Sequence, residues 1–345
     1  MENFDSTHLE IRAKDLYSYA TITITPFKKF YKSLFYMKAK EKLRVILFYK
    51  FVELEELETL KNKHLNFMND LGVRGRILLG KEGINGSISG NKKQIQKYKT
   101  WLKCDKKFSN MSFKEETCIE HPFRKNTVTV RDEIVTIGKK VDMNNKGKYI
   151  TAKELKKIYE NGLKDTVILD ARNNYEHKIG HFKDSIDLDI ENFRDFPKAL
   201  EKIENLKDKK IITFCTGGIR CEKATAYMQE NGFNNVYQLK DGILNYGKKF
   251  PDTYWKGKCF VFDKRLITEL NKKEKKALTK CETCEENSDL YRNCRNLQCD
   301  KLYTQCVPCQ DTFNGCCSSE CFEKFREHCM VRGLKNRQNM NSQKV

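Results

Sequence analysis

The 345-residue sequence contains no apolar run long enough to cross a membrane. Its first residues, Met1 to Asp15, are polar and of mixed charge, and no apolar core follows them as it would in a secretory signal peptide. These absences argue against a membrane partner and against secretion. We therefore expect a cytoplasmic protein whose thiols stay reduced.

The cysteine content is high, with 15 residues, and ten of them lie from Cys281 onward in a segment that has few apolar runs. In a reducing compartment such a cluster favours metal binding over disulfides. Eight of the ten form closely spaced pairs: Cys281 and Cys284, Cys294 and Cys299, Cys306 and Cys309, Cys317 and Cys321. Such pairs are typical of tetrahedral zinc, so we expect one or two structural zinc ions. The spacing leaves the ligand pairing open, and disulfides or an iron–sulfur cluster remain alternatives.

The net charge is +19, from 66 Lys and Arg against 47 Asp and Glu. This excess favours a polyanionic partner such as RNA, DNA or a membrane surface. Because the lysines are scattered along the chain, a surface adapted for solubility explains the charge equally well.

The first region predicts a β-α-β-β-α-β order, typical of a small ferredoxin-like α+β domain. Strands are indicated at 43–49, 73–79, 84–89 and 111–115, with helical periodicity between the first and second and after Asn91. The glycine-rich stretch 80–90 lacks the Walker pattern and is interpreted as a tight turn between two strands. Lys81 and Asn85 in it are candidate RNA contacts.

The second region alternates short apolar strands with helices and predicts an α/β domain with a mostly parallel sheet. Thr151 begins a helix with a capping box to Glu154. Ligands bind at the carboxyl ends of parallel strands. Cys215, Asp170 and Arg172 occupy such ends.

The loop that follows the strand KKIITF reads CTGGIR, from Cys215 to Arg220. We expect its backbone N–H groups, the start of the next helix and the Arg220 cation to converge on Cys215 and to lower the pKa of its thiol. The other members of this anion-binding loop are Thr216, Gly217, Gly218 and Ile219.

Three further residues near the loop, Cys221, Asp170 and Arg172, are candidates for supporting roles. Cys221 is either a thiol that resolves an oxidised or persulfidated Cys215 or a packed helix residue, and the pattern favours neither. Asp170 and Arg172 are expected to form a supporting ion pair that orders the end of their strand.

CTGGIR resembles the six-residue active-site loop of rhodanese domains. The preceding LDARNNYEHKIGHFKDSIDL contains the matching pattern D-x-R-x-x-x-E-x-x-x-G-H, from Asp170 to His181. Related phosphatases have a longer loop that holds phosphate. The short loop therefore favours sulfur chemistry on Cys215.

The ordered set LLGKEGINGSISG, CTGGIRCEKA, GKCFVFDKR and the cysteine cluster resembles the rhodanese-containing tRNA uridine-34 hydroxylase family over roughly 43–321. The resemblance implies an oxidoreductase that converts the wobble uridine of tRNA to 5-hydroxyuridine. Its active cysteine would be Cys215, with molecular oxygen as co-substrate and no nucleotide cofactor. Two other functions remain open: a sulfurtransferase with a persulfide on Cys215, and a non-catalytic RNA-binding module, against which the intact Cys215 and Arg220 argue.

These patterns predict five segments and no specific protein partner. They are an N-terminal extension (1–40), a ferredoxin-like domain (41–140), a rhodanese domain (145–255), a cysteine-rich zinc module (256–330) and a basic disordered tail (331–345).

Overall fold

The computed structural model describes residues 42–271, 273 and 276–342. The expected N-terminal extension lies outside these residues. The described residues from Leu43 onward form one compact unit. Across the described ranges, no helix combines the length and apolarity needed to span a bilayer.

The first domain is a five-stranded sheet with two helices, in the strand order β4-β1-β3-β2-β5. The first four strands and both helices confirm the predicted ferredoxin-like α+β fold. The segment that follows them adds β5 parallel to β2. The elements are β1 (Leu43–Phe51), α1 (Leu57–Leu71), β2 (Arg74–Gly80), β3 (Gly83–Gly90), α2 (Lys92–Cys104), β4 (Phe113–Cys118) and β5 (Thr127–Val130).

Only one face of this sheet is covered by the domain's own helices. Ile46, Phe48 and Ile88 belong to the core that the sheet shares with both helices. Because side chains alternate along a strand, Leu47 on β1 and Asn85 on β3 project from the opposite face. That face is free to pack on another domain.

The central domain has a five-stranded sheet in the order β6-β11-β10-β7-β9, and every pairing in it is parallel. This confirms the predicted α/β architecture, and the expected capping box joins Thr151 to Glu154. Its elements are β6 (Lys148–Ile150), α3 (Ala152–Glu160), β7 (Thr166–Asp170), α4 (Asn174–Ile179), β8 (Gly180–Phe182), β9 (Ser185–Asp187), α5 (Phe196–Ala199), β10 (Lys210–Phe214), α6 (Ile219–Glu230), β11 (Val236–Leu239) and α7 (Gly242–Lys249).

The C-terminal segment begins on the central domain and ends in a small cysteine-rich unit. Trp255 is buried and its strand pairs with β8, so this part of the chain closes the central domain. The elements are β12 (Trp255–Gly257), β13 (Cys259–Phe260), β14 (Ile267–Thr268), β15 (Tyr291–Asn293), β16 (Leu302–Thr304), α8 (Val307–Thr312) and α9 (Ser319–Ser342).

The helix α9 runs from Ser319 to Ser342 and so includes part of the segment for which a disordered tail was predicted. Polarity alone suggested disorder for 331–345. The segment has no proline and a single glycine, and residues such as Leu, Lys, Arg, Gln and Met have good helix propensity. A helix that starts before this segment can therefore continue into it, and it extends to Ser342.

Candidate active site and metal centres

Cys215 lies in the loop between β10 and α6, where its side chain is fully buried. The backbone N–H of Gly218 donates to the Cys215 Sγ at 3.2 Å. The loop carbonyls point the other way, because Cys215 O and Thr216 O accept hydrogen bonds from the first turn of α7. With its carbonyls held outward, the loop turns its N–H groups toward one sulfur atom.

The surroundings of Cys215 favour its thiolate. Burial alone would raise the pKa of this thiol, but a hydrogen bond from Cys221, the charge of Arg220 and the backbone N–H groups of both residues outweigh it. Together they lower the pKa of Cys215 to about 6. A group with this pKa is mostly a nucleophilic thiolate at neutral pH.

Cys221 has the opposite character. Burial, reinforced by the neighbouring Cys215 thiolate, raises its pKa well above the ordinary value. Its side chain is fully buried and belongs to the core on one side of the central sheet. The structure thus places it both in the core and beside Cys215, as a neutral thiol that donates to the thiolate.

Arg220 is not a free cation. Its guanidinium forms a bidentate pair with the buried Glu176, with Nη1–Oε2 and Nη2–Oε1 distances of 2.5 and 2.9 Å. Thr216 also donates its hydroxyl to Glu176 Oε1 at 3.3 Å. The pair fixes the first turn of α6 against α4, and it leaves Arg220 beside Cys215 with its charge largely balanced.

Asp170 and Arg172 form the expected ion pair, with Nη2–Oδ2 at 2.6 Å and both side chains fully buried. Asp170 Oδ2 also lies 2.9 Å from the His177 ring, and Arg172 donates to the carbonyl of Gly180. The guanidinium packs over Trp255 at 5.2 Å. Both residues lie under the strand ends, outside the cavity that contains Cys215.

The uncovered sheet face of the first domain lies directly over the Cys215 loop. A side chain at Gly217 would meet Leu47 Cδ2 at 2.6 Å, and one at Gly218, whose φ is +99°, would meet Tyr49 Oη at 2.8 Å. The glycine pair therefore permits both the loop conformation and the close approach of the first domain. The sequence placed both glycines in the anion-binding loop but gave no sign of the contact with the first domain.

Ion pairs fasten the two domains together beside the loop. Lys223 on α6 is 2% exposed and lies 2.8 Å from Glu82 and 2.6 Å from Glu133. Lys114 on β4 pairs with Asp241 at 2.9 Å, just before α7. The helix that follows the Cys215 loop and the helix that begins against it are thus both tied to the first domain, through charged residues to which the sequence patterns assigned no pairing.

A cavity of about 660 Å³ lies between the sheet face and the loop, and Cys215, Thr216, Gly217, Ile219 and Arg220 all line it. Three further arginines line this cavity and are exposed: Arg76, Arg131 and Arg194. None of the three pairs with a carboxylate of the described residues. The cavity is therefore open to an anionic ligand.

The glycine-rich stretch makes the predicted tight turn at residues 81–82 and then continues as β3. Lys81 is exposed in this turn, outside the cavity, whereas Asn85 lines the cavity wall. The two candidate RNA contacts therefore lie in different surroundings, and only Asn85 faces the same space as Cys215.

The eight paired cysteines form two separate clusters of four: Cys281, Cys284, Cys306 and Cys309 in one, and Cys294, Cys299, Cys317 and Cys321 in the other. Within each cluster all sulfurs lie within 4.8 Å of one another. Alternate pairs along the chain thus join, which spacing alone left open. All 15 cysteines are free thiols, so the disulfide alternative is not supported.

The sulfur spacing fits a single tetrahedral metal in each cluster. Cys284 Sγ lies 3.6 Å from Cys306 Sγ, and Cys317 Sγ lies 3.7 Å from Cys299 Sγ and from Cys321 Sγ. A tetrahedron with Zn–S bonds of about 2.3 Å places its sulfurs about 3.8 Å apart. A [4Fe–4S] cluster, in which each cysteine binds a different iron, would hold the four sulfurs farther apart.

Three family profiles match the chain in succession. They are described as UPF0176 acylphosphatase like domain (residues 43–134), Rhodanese-like domain (151–249) and Rhodanase C-terminal (256–322).

Curated relatives named tRNA uridine(34) hydroxylase match most of the chain. The protein of Cytophaga hutchinsonii is 38% identical over 280 residues, which cover 81% of this chain and 89% of that protein. The protein of Staphylococcus haemolyticus is 40% identical, with 84% and 92% covered. The protein of Legionella pneumophila strain Paris is 45% identical over 227 residues, with 64% and 89% covered.

Proposed function

The chain belongs to the tRNA uridine(34) hydroxylase family, and we propose that it is an oxidoreductase that hydroxylates uridine 34 of tRNA to 5-hydroxyuridine. The observation that supports this most strongly is the position of Cys215. A cysteine with a pKa of about 6 lines a cavity of about 660 Å³, and unpaired arginines line it too. A thiolate nucleophile and cations for phosphate are what chemistry on a nucleotide of an RNA loop requires.

In this proposal Cys215 is the catalytic residue and forms a covalent or oxidised sulfur species during turnover. The loop from Thr216 to Arg220 keeps the sulfur anionic, and the Cys221 thiol supplies a proton to it or resolves the oxidised form as a disulfide. Molecular oxygen would be the co-substrate: one atom becomes the hydroxyl oxygen and the other leaves as water, with two electrons and two protons supplied as Cys215 and Cys221 form a disulfide, which a cellular thiol then reduces. Asp170 and Arg172 support the strand ends without contact to substrate.

The test is hydroxylation of tRNA by the purified protein, followed by mass spectrometry of its nucleosides. We expect Cys215→Ala to lower 5-hydroxyuridine formation by at least about 10³-fold, because the nucleophile is removed. Cys104→Ala, which changes an exposed cysteine on α2, is the matched control and should keep full activity. Full hydroxylation by Cys215→Ala would refute the assignment.

Sulfur transfer is the second candidate, because the loop N–H groups converge on a single sulfur atom. A thiosulfate:cyanide assay combined with mass spectrometry of the Cys215 peptide separates the two functions. A persulfide without 5-hydroxyuridine would favour the sulfurtransferase. tRNA binding with neither product would favour a non-catalytic RNA-binding module. For hydroxylation the expected partner is tRNA, and we propose that the protein works in the cytoplasm.

We further propose that each cysteine cluster binds one structural zinc ion. The C-terminal segment has only a small apolar core around Tyr303, so metal binding would provide much of its folding free energy. Metal analysis of the purified protein should give two zinc ions per chain. Cys281→Ser and Cys294→Ser should each remove about one ion, and bound iron in place of zinc would contradict the proposal.

A further inference from the structure

Asn85 presents an uncommitted acceptor to the cavity. Its Nδ2 donates to the carbonyl of Ile134 at 3.0 Å. Because a carbonyl can only accept, this contact fixes which end of the amide is which. The Oδ1 therefore lies on the other side, where no donor of the described residues reaches it.

The partner of Asn85 is itself held rigidly. Ile134 is 1% exposed, and its backbone N–H donates to Glu82 Oε1 at 2.7 Å. Glu82 in turn pairs with the buried Lys223 of the central domain. The direction of the Asn85 acceptor is thus set by the same contacts that join the two domains around Cys215.

Phe262 is a second feature of this cavity that the mechanism above does not use. It lines the cavity although its side chain is 56% exposed. The buried Phe260 contacts it edge-on with ring centroids 5.1 Å apart, and the Arg220 guanidinium lies 5.5 Å from its ring. A large apolar ring that is exposed to water but held from two sides is suited to stacking on a nucleobase.

We propose that Asn85 and Phe262 form the subsite that recognises the target base. Asn85 Oδ1 accepts the N3–H of uracil, and Phe262 stacks on a base that enters the cavity. The inference rests on the proposed function, because it assigns the reading of the base to residues of that same site. Cytosine carries a lone pair at N3 where uracil carries a proton, so an acceptor at Asn85 selects uracil.

The test compares two proteins with two RNAs. Anticodon stem–loop RNAs with U or C at the target position are titrated against the wild type and Asn85→Ala. We expect the wild type to bind the U form about tenfold more tightly, as expected for one hydrogen bond plus an avoided unpaired acceptor. Asn85→Ala should bind both forms equally. Ser87→Ala, which alters the same sheet face two residues along β3, should retain the preference.

The stacking role has a different signature. Phe262→Ala should weaken binding of both RNAs by about tenfold, because stacking does not depend on base identity, and Phe262→Tyr should restore it. Unchanged affinity in Phe262→Ala would overturn this role. A U preference that survives in Asn85→Ala would overturn the role of Asn85.

A change in the RNA tests the same contact with the wild-type protein, so the result does not depend on whether a variant folds. RNA with N3-methyluridine at the target position lacks the donor, so we expect the wild type to bind it no better than the C form, and undiminished binding would refute the contact. Failure of the proposed function is seen separately. A wild-type protein that shows the base preference yet forms no 5-hydroxyuridine would refute hydroxylation and leave the subsite intact.

Discussion

Cys215 in the loop and Cys221 in the first turn of α6 are joined by a hydrogen bond between their sulfurs, yet the structure gives them opposite protonation states. Several donors surround the first sulfur, whose pKa falls to about 6. The second is buried beside that thiolate, and its pKa rises well above the ordinary value. A thiolate next to a neutral thiol is the arrangement in which one sulfur reacts and the other holds a proton in reserve.

The pH dependence of alkylation tests this arrangement. The Cys215 thiolate is present above its depressed pKa and is lost below it. The alkylation rate of Cys215 should therefore increase with pH, with the midpoint of the increase near pH 6. Cys221→Ala removes a hydrogen-bond donor, so its midpoint should move to higher pH. The rate is measured by iodoacetamide labelling and mass spectrometry of the Cys215 peptide.

Cys104→Ala is the control for this measurement and should leave the midpoint where it is. A wild-type midpoint near that of an ordinary thiol would contradict the anion-binding role of the loop. An unchanged midpoint in Cys221→Ala would show that the second thiol does not stabilise the first.

At the scale of elements, the strand–loop–helix around Cys215 depends on α7, which begins against the loop. Gly242 starts α7 with φ +67°, and a Cβ there would lie 2.5 Å from the carbonyl oxygen of Cys215 and 2.8 Å from the amide nitrogen of Gly218. Both are backbone atoms, so they cannot turn aside as a side chain would. The loop can therefore keep its conformation only if α7 starts with a residue that has no Cβ.

Gly242→Ala should destabilise the protein by about 3 kcal/mol or more, from backbone strain together with the clash. Gly162→Ala is a matched control, because Gly162 also has a positive φ of +77° but has open space around its Cβ position. It should cost only about 1 kcal/mol, from strain alone. Urea unfolding measures both. Equal losses of unfolding free energy in the two variants would show that the contact between Gly242 and the loop does not contribute to stability.

The helices and strands that the sequence predicts correctly are those whose signals in the sequence are local. The helix start at Asn91, the capping box at Thr151 and the apolar strand before Cys215 are each signalled within a few residues of the structures that they specify. The ion pair of Arg220 was not predicted, because Glu176 is 44 positions away on another helix. Glu176 appeared only as a member of the sequence pattern, with no partner assigned.

At the scale of the whole molecule, the site exists only because the first domain covers the central one. Tyr49 Oη donates to Glu222 at 3.1 Å across 173 positions of sequence. No spacing rule predicts such a contact, since it depends on how two complete domains pack. The uncovered sheet face was predictable from the ferredoxin-like fold, but its packing on the Cys215 loop was not.

The packing of the two domains also decides which of the cations behind the net charge of +19 are buried in ion pairs and which stay exposed. Lys223 and Lys114 neutralise carboxylates at the domain contact and are buried. Arg131, in contrast, lines the cavity, is exposed and has no ionic partner among the described residues. The net charge of the chain therefore overstates the number of cations available to RNA. Whether a given cation can bind RNA depends on its position in the fold.

Salt dependence of RNA binding tests this distinction. If Arg131 contacts a phosphate, Arg131→Ala should lower the slope of log affinity against log salt by about 0.7 to 0.9, because one fewer counterion is released. Lys97→Ala removes a charge that is also exposed, from α2 on the sheet face opposite the cavity, and should leave the slope unchanged. Equal losses from the two variants would mean that RNA responds to total charge and not to the cavity. A loss confined to Arg131→Ala would place the RNA backbone at the mouth of the space that holds Cys215.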